Sequence, residues 1–174
     1  KTPTMGWMFV PLVEYQGGGE AATLEPLSQH LDAYGAHLAQ NFGAGVQACY
    51  RGIRWYDTEE TKAVVLKWIN FFKQYRDILE SDIIHVRRPD GRDLDCILHV
   101  NPNTTPRALA MIFNPLDLPV TKTITLPIYY SGVSTSAKVR VSNGPAIDLP
   151  VNREYRIQVP VEIAGNGNAW ITIE

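Results

Sequence analysis

The chain has 174 residues, of which 45% are hydrophobic and 20% charged, and its formal net charge at pH 7 is −2. This length and composition allow one or two globular domains with a substantial core. The Lys and Arg residues form no basic stripe for phosphate contacts, and no apolar run approaches the ~20 residues of a membrane-spanning helix. We therefore expect neither a nucleic acid nor a membrane as a partner.

The residues that most often bind metals are scattered along this chain. Cys49 and Cys96 form no CxxC pair, and no His/Cys cluster has metal-ligand spacing. Asp90, Asp93 and Asp95 surround a turn but lack the glycine and the terminal glutamate of a calcium-binding loop. We expect no metal and no cofactor. We also expect two buried thiols, with a single disulfide between them as the open alternative.

The chain begins with a strand pattern and a helix pattern. Residues 6–15 are apolar on both faces, as in a buried parallel strand, although Pro11 removes one ladder donor. Thr23 is a candidate cap for a helix that continues to about Gln40, whose apolar residues recur at steps of three and four. These apolar positions are Leu24, Leu27, Leu31, Tyr34 and Leu38.

A second strand and a second helix follow. Residues 46–51 predict a short strand, and Asp57 with Glu60 gives a capping-box-like start to a helix that ends near Leu79. Strands joined by helical crossovers are parallel, so this half predicts a β–α–β–α unit. Because two buried strands do not make a stable sheet, further strands are expected upstream in a longer polypeptide or in a partner chain.

From Ser81 onwards the hydrophobic period changes from about 3.6 to 2. Short strand patterns follow one another, with Pro, Gly and Asn turn signals between them. This spacing is typical of an antiparallel β-sandwich. The predicted strands cover residues 83–86, 94–100, 108–113, 121–128, 137–141, 155–163 and 169–173.

Several segments together resemble one class of enzyme. HVRRPDGRDLDCILHVNP and ALAMIFNPLDLPVTKTITLPIYYSG resemble the C-terminal β-sandwich of bacterial α-galactosidase-like glycoside hydrolases, in which a (β/α)₈ barrel precedes the sandwich. KWINFFKQYRDILESDIIHVRRPDG looks like the last barrel helix running into that domain. MGWMFVPLVEYQGGG and GAGVQACYRG look like the last two barrel strands. The resemblance covers essentially the whole chain.

The resemblance implies a fold and an activity. Residues 1–80 would be the terminal β–α–β–α portion of a TIM-type barrel, and residues 81–174 the C-terminal antiparallel β-sandwich. Such enzymes hydrolyse glycosidic bonds with a pair of carboxylates, which sit on earlier barrel strands. No residue of this chain is a counterpart of that pair, so the catalytic residues stay unknown and the chain alone is expected to be inactive. The implied partners are a carbohydrate and the remaining barrel portion, in the same polypeptide or in a second chain.

The active face of a TIM-type barrel lies at the C-terminal ends of its strands. In this sequence those ends carry Glu14 and Tyr15 on the first strand and Tyr50 and Arg51 on the second. A carboxylate, a guanidinium and two aromatic rings suit a sugar pocket, and Trp55 in the following loop either lines that pocket or packs under the next helix. The alternative is that Glu14 and Arg51 form a structural ion pair.

Two other functions stay open. The chain is alternatively a non-catalytic carbohydrate-binding or accessory β-sandwich module, which an exposed aromatic strip at Tyr129 and Tyr130 would favour. It is alternatively a structural protein that completes a partner's sheet. The sequence shows no signal-peptide pattern, which leaves the location of the protein open.

Overall fold

A computed structural model describes residues 7–11, 24–51, 54–87 and 89–174, with backbone only for residues 7–11 and 47–51. In these residues it has a mixed α/β architecture with two α-helices and ten β-strands. The chain divides into two compact units, the first ending at Arg76 and the second beginning at Asp77. No helix in the described ranges is long and apolar enough to cross a membrane.

The first unit contains the predicted parallel strand pair. Strand β1 (Trp7–Pro11) pairs with β2 (Gln47–Arg51) over their whole lengths, and helix α1 (Leu31–Gly43) connects them. Helix α2 (Glu59–Leu79) follows β2 and starts in this unit. A helical crossover between parallel strands is the arrangement that the alternating strand and helix patterns predicted. The other residues predicted for the first strand lie outside the described ranges.

The start of helix α1 differs from the prediction. The helix begins at Leu31 rather than directly after the predicted cap Thr23, which itself lies outside the described ranges. Pro26 is extended, with φ −70° and ψ 132°, and a 3₁₀ turn over Leu27–Gln29 stands where the first helical turn was expected. A 3₁₀ turn also repeats about every three residues, so it buries the same apolar positions. The predicted stripe is indeed buried at Leu24, Leu27, Tyr34 and Leu38.

The N-terminus of helix α2 has a capping box, one residue later than predicted. The Thr58 hydroxyl accepts a hydrogen bond from the Thr61 N–H at 3.3 Å, and the Thr61 hydroxyl accepts one from the Thr58 N–H at 3.0 Å. This reciprocal pair replaces the predicted pairing of Asp57 with Glu60, because threonine at the third helical position reaches back as glutamate would. Helix α2 also has a kink at Tyr75, where φ is −111° and ψ is 16°.

The second unit is a two-layer β-sandwich. Six strands form one antiparallel sheet in the order β3–β4–β5–β10–β7–β8, and β6 pairs with β9 in a second sheet. One apolar cluster contains residues from both sheets, for example Leu98, Leu126 and Ile171, all with no exposed surface. The strands are β3 Asp82–Arg87, β4 Asp95–Val100, β5 Ala108–Phe113, β6 Val120–Pro127, β7 Ser136–Val141, β8 Ala146–Pro150, β9 Arg156–Ile163 and β10 Asn168–Ile173.

Seven of these eight strands were predicted, each with bounds that differ by at most one residue. The exception is β8, which lies at one edge of the six-stranded sheet and pairs only with β7 in the described residues. Four of its five residues are exposed, so it lacks the alternation that marks a half-buried strand. Cys96, on β4, is a free thiol. Burial raises its pKa to about 12.

Candidate functional site

The structure describes only part of the predicted substrate site. Tyr50 and Arg51 are the last residues of β2, paired with Val10 and Pro11 of β1, so they stand at the C-terminal end of the parallel pair. Their side chains, and all of Glu14 and Tyr15, lie outside the described ranges. The grouping of these four residues therefore stays a prediction.

Trp55 is the predicted site residue whose side chain is described. Trp55 is 48% exposed, and the neighbouring Tyr56 is 45% exposed. Below it, the Tyr34 hydroxyl donates a hydrogen bond to the Trp55 carbonyl at 2.9 Å. Burial, together with the nearby charge of Glu25, raises the pKa of Tyr34 to about 12, so this phenol keeps its proton. The backbone of Trp55 is therefore anchored, and about half of the residue is exposed.

An ion pair joins the two loops at this edge of the first unit. The Arg54 guanidinium donates two hydrogen bonds to the carboxylate of Glu25, from Nε at 3.2 Å and from Nη2 at 2.8 Å. Glu25 precedes α1 and Arg54 follows β2, so the pair connects two segments that lie 29 residues apart. The hydrogen bond to Glu25 raises the pKa of Arg54 above its ordinary value. Bidentate geometry of this kind fixes orientation as well as distance.

A second polar contact joins the same two loops. The backbone N–H and the hydroxyl of Ser28 both donate to one carboxylate oxygen of Asp57, each at 2.9 Å. The hydroxyl of Thr61 donates to the other oxygen at 3.0 Å. Partial loss of solvation favours the neutral acid, but these donors outweigh it, and the pKa of Asp57 is lowered. Asp57 is thus a charged structural acceptor, whereas a general acid needs a raised pKa.

Together these contacts define a loop clasp, formed by Glu25 with Arg54 and Ser28 with Asp57. The clasp holds a segment that presents two exposed aromatic rings at the C-terminal end of β2. Such rings stack on flat apolar ligand faces, and neighbouring charged groups accept or donate hydrogen bonds. Local spacing could not have revealed the clasp, because both contacts join distant parts of the sequence.

The acidic turn of the second unit has a structural role. Asp90 pairs with Arg87 and Asp93 with Lys122, each at 2.6 Å. The partners' hydrogen bonds lower the pKa of both carboxyls, whereas desolvation raises the pKa of Asp95. Among the described residues no three His, Cys, Asp or Glu side chains are grouped to hold a metal ion. The three aspartates belong to turn and strand-end contacts.

Comparison with known proteins gives a likeness in structure. No protein-family model and no curated protein matches the sequence. α-Galactosidase I from Mortierella vinacea matches 86% of this chain and 38% of its own, with a TM-score of 0.60 and 14% identity. The α-amylase from Geobacillus thermoleovorans, solved with acarbose, matches 99% of this chain and 39% of its own, with a TM-score of 0.61 and 10% identity. A β-L-arabinopyranosidase from Geobacillus stearothermophilus matches 82% of this chain and 30% of its own, with a TM-score of 0.52 and 11% identity.

These three neighbours are a galactosidase, an amylase and an arabinopyranosidase, and the fold of the chain is similar to part of each. At identities of 10–14% the likeness establishes the fold alone. The chain spans 30–39% of the length of these structures.

Proposed function

We propose that this chain is the C-terminal part of a glycoside hydrolase that acts on α-galactoside-like substrates. Residues 1–80 would supply the last strands and helices of a (β/α)₈ barrel, and residues 81–174 the β-sandwich that follows it. The observation that carries this proposal is the order of elements, a parallel pair with a helical crossover followed by an antiparallel sandwich. Support comes from the α-amylase match, which covers 99% of the chain and so includes both units.

The proposed role of the strand ends is substrate binding. Glu14, Tyr15, Tyr50 and Arg51 would surround a sugar ring, and Trp55 would stack on it from the loop after β2. The partial exposure of Trp55 and its anchored backbone support this role. The catalytic carboxylate pair would come from strands earlier in the longer enzyme, because active sites of such barrels collect residues from several strand ends.

The test compares the 174-residue chain with the polypeptide encoded by its complete reading frame. We expect the longer protein to hydrolyse nitrophenyl α-galactoside and the chain alone to have no turnover. In the longer protein, Trp55→Ala should raise KM about tenfold, because an aromatic contact contributes roughly 0.5–1.5 kcal/mol. The matched control is Leu118→Ala, an exposed apolar residue of the sandwich, which should leave KM unchanged.

Two results would contradict the proposal. Turnover by the chain alone would mean that its own residues carry the chemistry. If the longer protein hydrolysed none of the α-galactoside, β-L-arabinopyranoside and α-glucoside substrates, the two remaining alternatives would be an accessory module and a structural protein. Binding of a polysaccharide without hydrolysis would favour the accessory module, and absence of both would favour the structural protein.

A further inference from the structure

Three tyrosines form an exposed aromatic surface on the second unit. Tyr129 is 59% exposed, Tyr130 65% and Tyr155 39%. The ring of Tyr129 contacts Tyr130 at 5.2 Å and Tyr155 at 5.0 Å between centroids, both edge to face at 86°. We call these residues the tyrosine cluster. Each edge-to-face contact covers one face of one ring only, and the exposed fractions of all three residues leave aromatic surface on which a flat ligand can stack.

The fold holds the tyrosine cluster in place. Tyr129 and Tyr130 lie in a 3₁₀ turn that ends at Gly132, whose φ of 73° is in the left-handed region. Within the turn, the Ser131 hydroxyl donates to the Ile128 carbonyl at 2.6 Å. The Ile128 N–H donates to the Tyr155 carbonyl at 2.8 Å, which ties the two carrier segments together. A stacking surface on anchored backbone loses little conformational freedom when a ligand binds.

Tyr155 occupies a backbone conformation that tyrosine rarely adopts. Its φ is 54°, in the left-handed region that favours glycine or asparagine. The turn is closed by the Tyr155 N–H donating to the Asn152 carbonyl at 3.0 Å and by the Arg156 N–H donating to the Asn152 side chain at 2.9 Å. The turn geometry therefore gives no reason for a large aromatic side chain here. The reason lies in where the ring stands, which is against Tyr129.

A polar groove of about 710 Å³ adjoins the cluster, and Tyr130 forms part of its wall. The loop of Asn101, Pro102 and Asn103 lines it, and a Cβ on Gly132 would lie 3.3 Å from Pro102, so turn and loop are in contact. The Asn101 side chain is held by Ser81 and by the Asn103 N–H, each at 3.0 Å. Asp82 and Asn103 are exposed in the same groove and present carboxylate and amide groups to solvent.

We propose that the tyrosine cluster and this groove bind a carbohydrate chain, as a non-catalytic site on the sandwich. The rings would stack on the C–H face of a sugar, and Asp82 and Asn103 would accept hydrogen bonds from its hydroxyl groups. Three acidic residues, Asp77, Glu80 and Asp82, line the groove, and this acidic lining disfavours phosphate-bearing ligands. It also disfavours a second copy of the chain, because a two-fold contact would place like charges together. The choice of a carbohydrate rests on the proposed function, while the site itself consists only of residues of the second unit.

The test is affinity electrophoresis of the 174-residue chain in gels that contain galactomannan or amylopectin. We expect retardation by at least one polysaccharide, and Tyr130→Ala should raise its dissociation constant about tenfold. Tyr130→Phe should keep most of the affinity, because it keeps the ring face. Asn103→Ala, at the polar side of the groove, should weaken binding by a smaller factor. Leu118→Ala is the matched control, since it removes an exposed apolar side chain away from the cluster.

Four results would overturn the inference. They are no retardation by either polysaccharide, equal binding by Tyr130→Ala and Leu118→Ala, binding that disappears at high salt, and self-association that Tyr130→Ala abolishes. Loss of retardation at high salt would indicate charge-driven adsorption to the gel rather than stacking on the rings, because binding of a neutral sugar depends little on ionic strength. Trp55→Ala separates this inference from the proposed function, since it should leave polysaccharide retardation unchanged whether or not the longer protein hydrolyses glycosides.

Discussion

Asn114 offers the sharpest test of how the sandwich is held together. Its side chain is 3% exposed, at the point where β5 ends. The amide nitrogen donates to the carbonyls of Leu118 at 2.9 Å, Ile163 at 3.2 Å and Ala164 at 2.9 Å. The amide oxygen accepts from the Leu116 N–H at 3.0 Å. One side chain thus shapes the loop before β6 and connects it to the end of β9, 49 residues away.

The expected cost of Asn114→Ala follows from these bonds. A net hydrogen bond contributes about 1 kcal/mol, and a buried group left without a partner costs roughly 1–3 kcal/mol. Two amide hydrogens shared by three carbonyls, plus one accepted bond, correspond to a loss of about 3 kcal/mol. The free energy of unfolding of a protein is about 5–15 kcal/mol, so the loss expected for Asn114→Ala is a large fraction of the total stability.

Asn114→Asp should be worse at neutral pH, because it turns a carboxylate oxygen toward three carbonyls. The pKa of the introduced aspartate would be raised in the folded state. The extra loss of stability therefore grows as the pH rises above about 3.9, the pKa of an aspartate in the unfolded chain, and shrinks in acid.

The assay is urea unfolding of the whole chain followed by circular dichroism, with hydrogen exchange of the β5 and β9 peptides. Asn143→Ala is the control, since this asparagine is exposed in the turn between β7 and β8. We expect the control to change stability by less than about 0.5 kcal/mol. Exchange in β5 and β9 should accelerate in Asn114→Ala while the control leaves it unchanged. Equal stability of the two variants would refute the reasoning, because the buried bonds would then contribute nothing net.

Two further predictions concern close approach and charge. Gly165→Ala should lower the free energy of unfolding by about 3 kcal/mol or more in the same urea assay, because a Cβ there would overlap the backbone carbonyl of Asp117. The control is Gly91→Ala, whose Cβ would meet no atom within 4 Å. It should lower the free energy of unfolding by only about 1 kcal/mol, because its φ is 68°. Ser28→Ala should lower the melting temperature at neutral pH, because it removes a hydrogen bond to the charged Asp57 carboxylate. The pKa of Asp57 is lowered in the folded protein, so its charge stabilises the fold. This stabilisation is complete above the ordinary pKa of 3.8 and is lost as the pH falls through the folded pKa. The gap between Ser28→Ala and the unchanged protein should therefore narrow as the pH falls below 3.8, and a gap that does not change with pH would contradict the charge argument.

The sandwich strands were predictable because their signal is local. Along β9, Ile157, Val159 and Val161 are buried and the residues between them are exposed, so alternation alone identifies the strand. Strand β8 gave no such signal, because four of its five residues are exposed and buried and exposed positions therefore do not alternate along it. The start of α1 was wrong for a related reason, because apolar spacing does not distinguish a 3₁₀ turn from a helical one.

The sites depend on contacts that sequence spacing does not encode. Trp55 could be named in advance because it follows a predicted strand end, but its anchoring by Tyr34 and the ion pair of Glu25 with Arg54 join segments 21 and 29 residues apart. Tyr129 and Tyr130 were visible as a candidate aromatic strip because they are adjacent. Tyr155 joins them only through a left-handed turn, which nothing in its neighbourhood predicted.

The position of β10 sets an order on the assembly of the sandwich. This strand is the last in the sequence, yet it lies inside the six-stranded sheet, paired with β5 on one side and β7 on the other. Strands β3, β4 and β5 can pair as they emerge from the ribosome, and β7 can form a hairpin with β8, but these two pieces share no ladder until residues 168–173 arrive. During synthesis the inner edges of both pieces stay open, and open edges recruit other strands. The sandwich of a newly made chain is therefore open to mispairing until residues 168–173 have been synthesised and released.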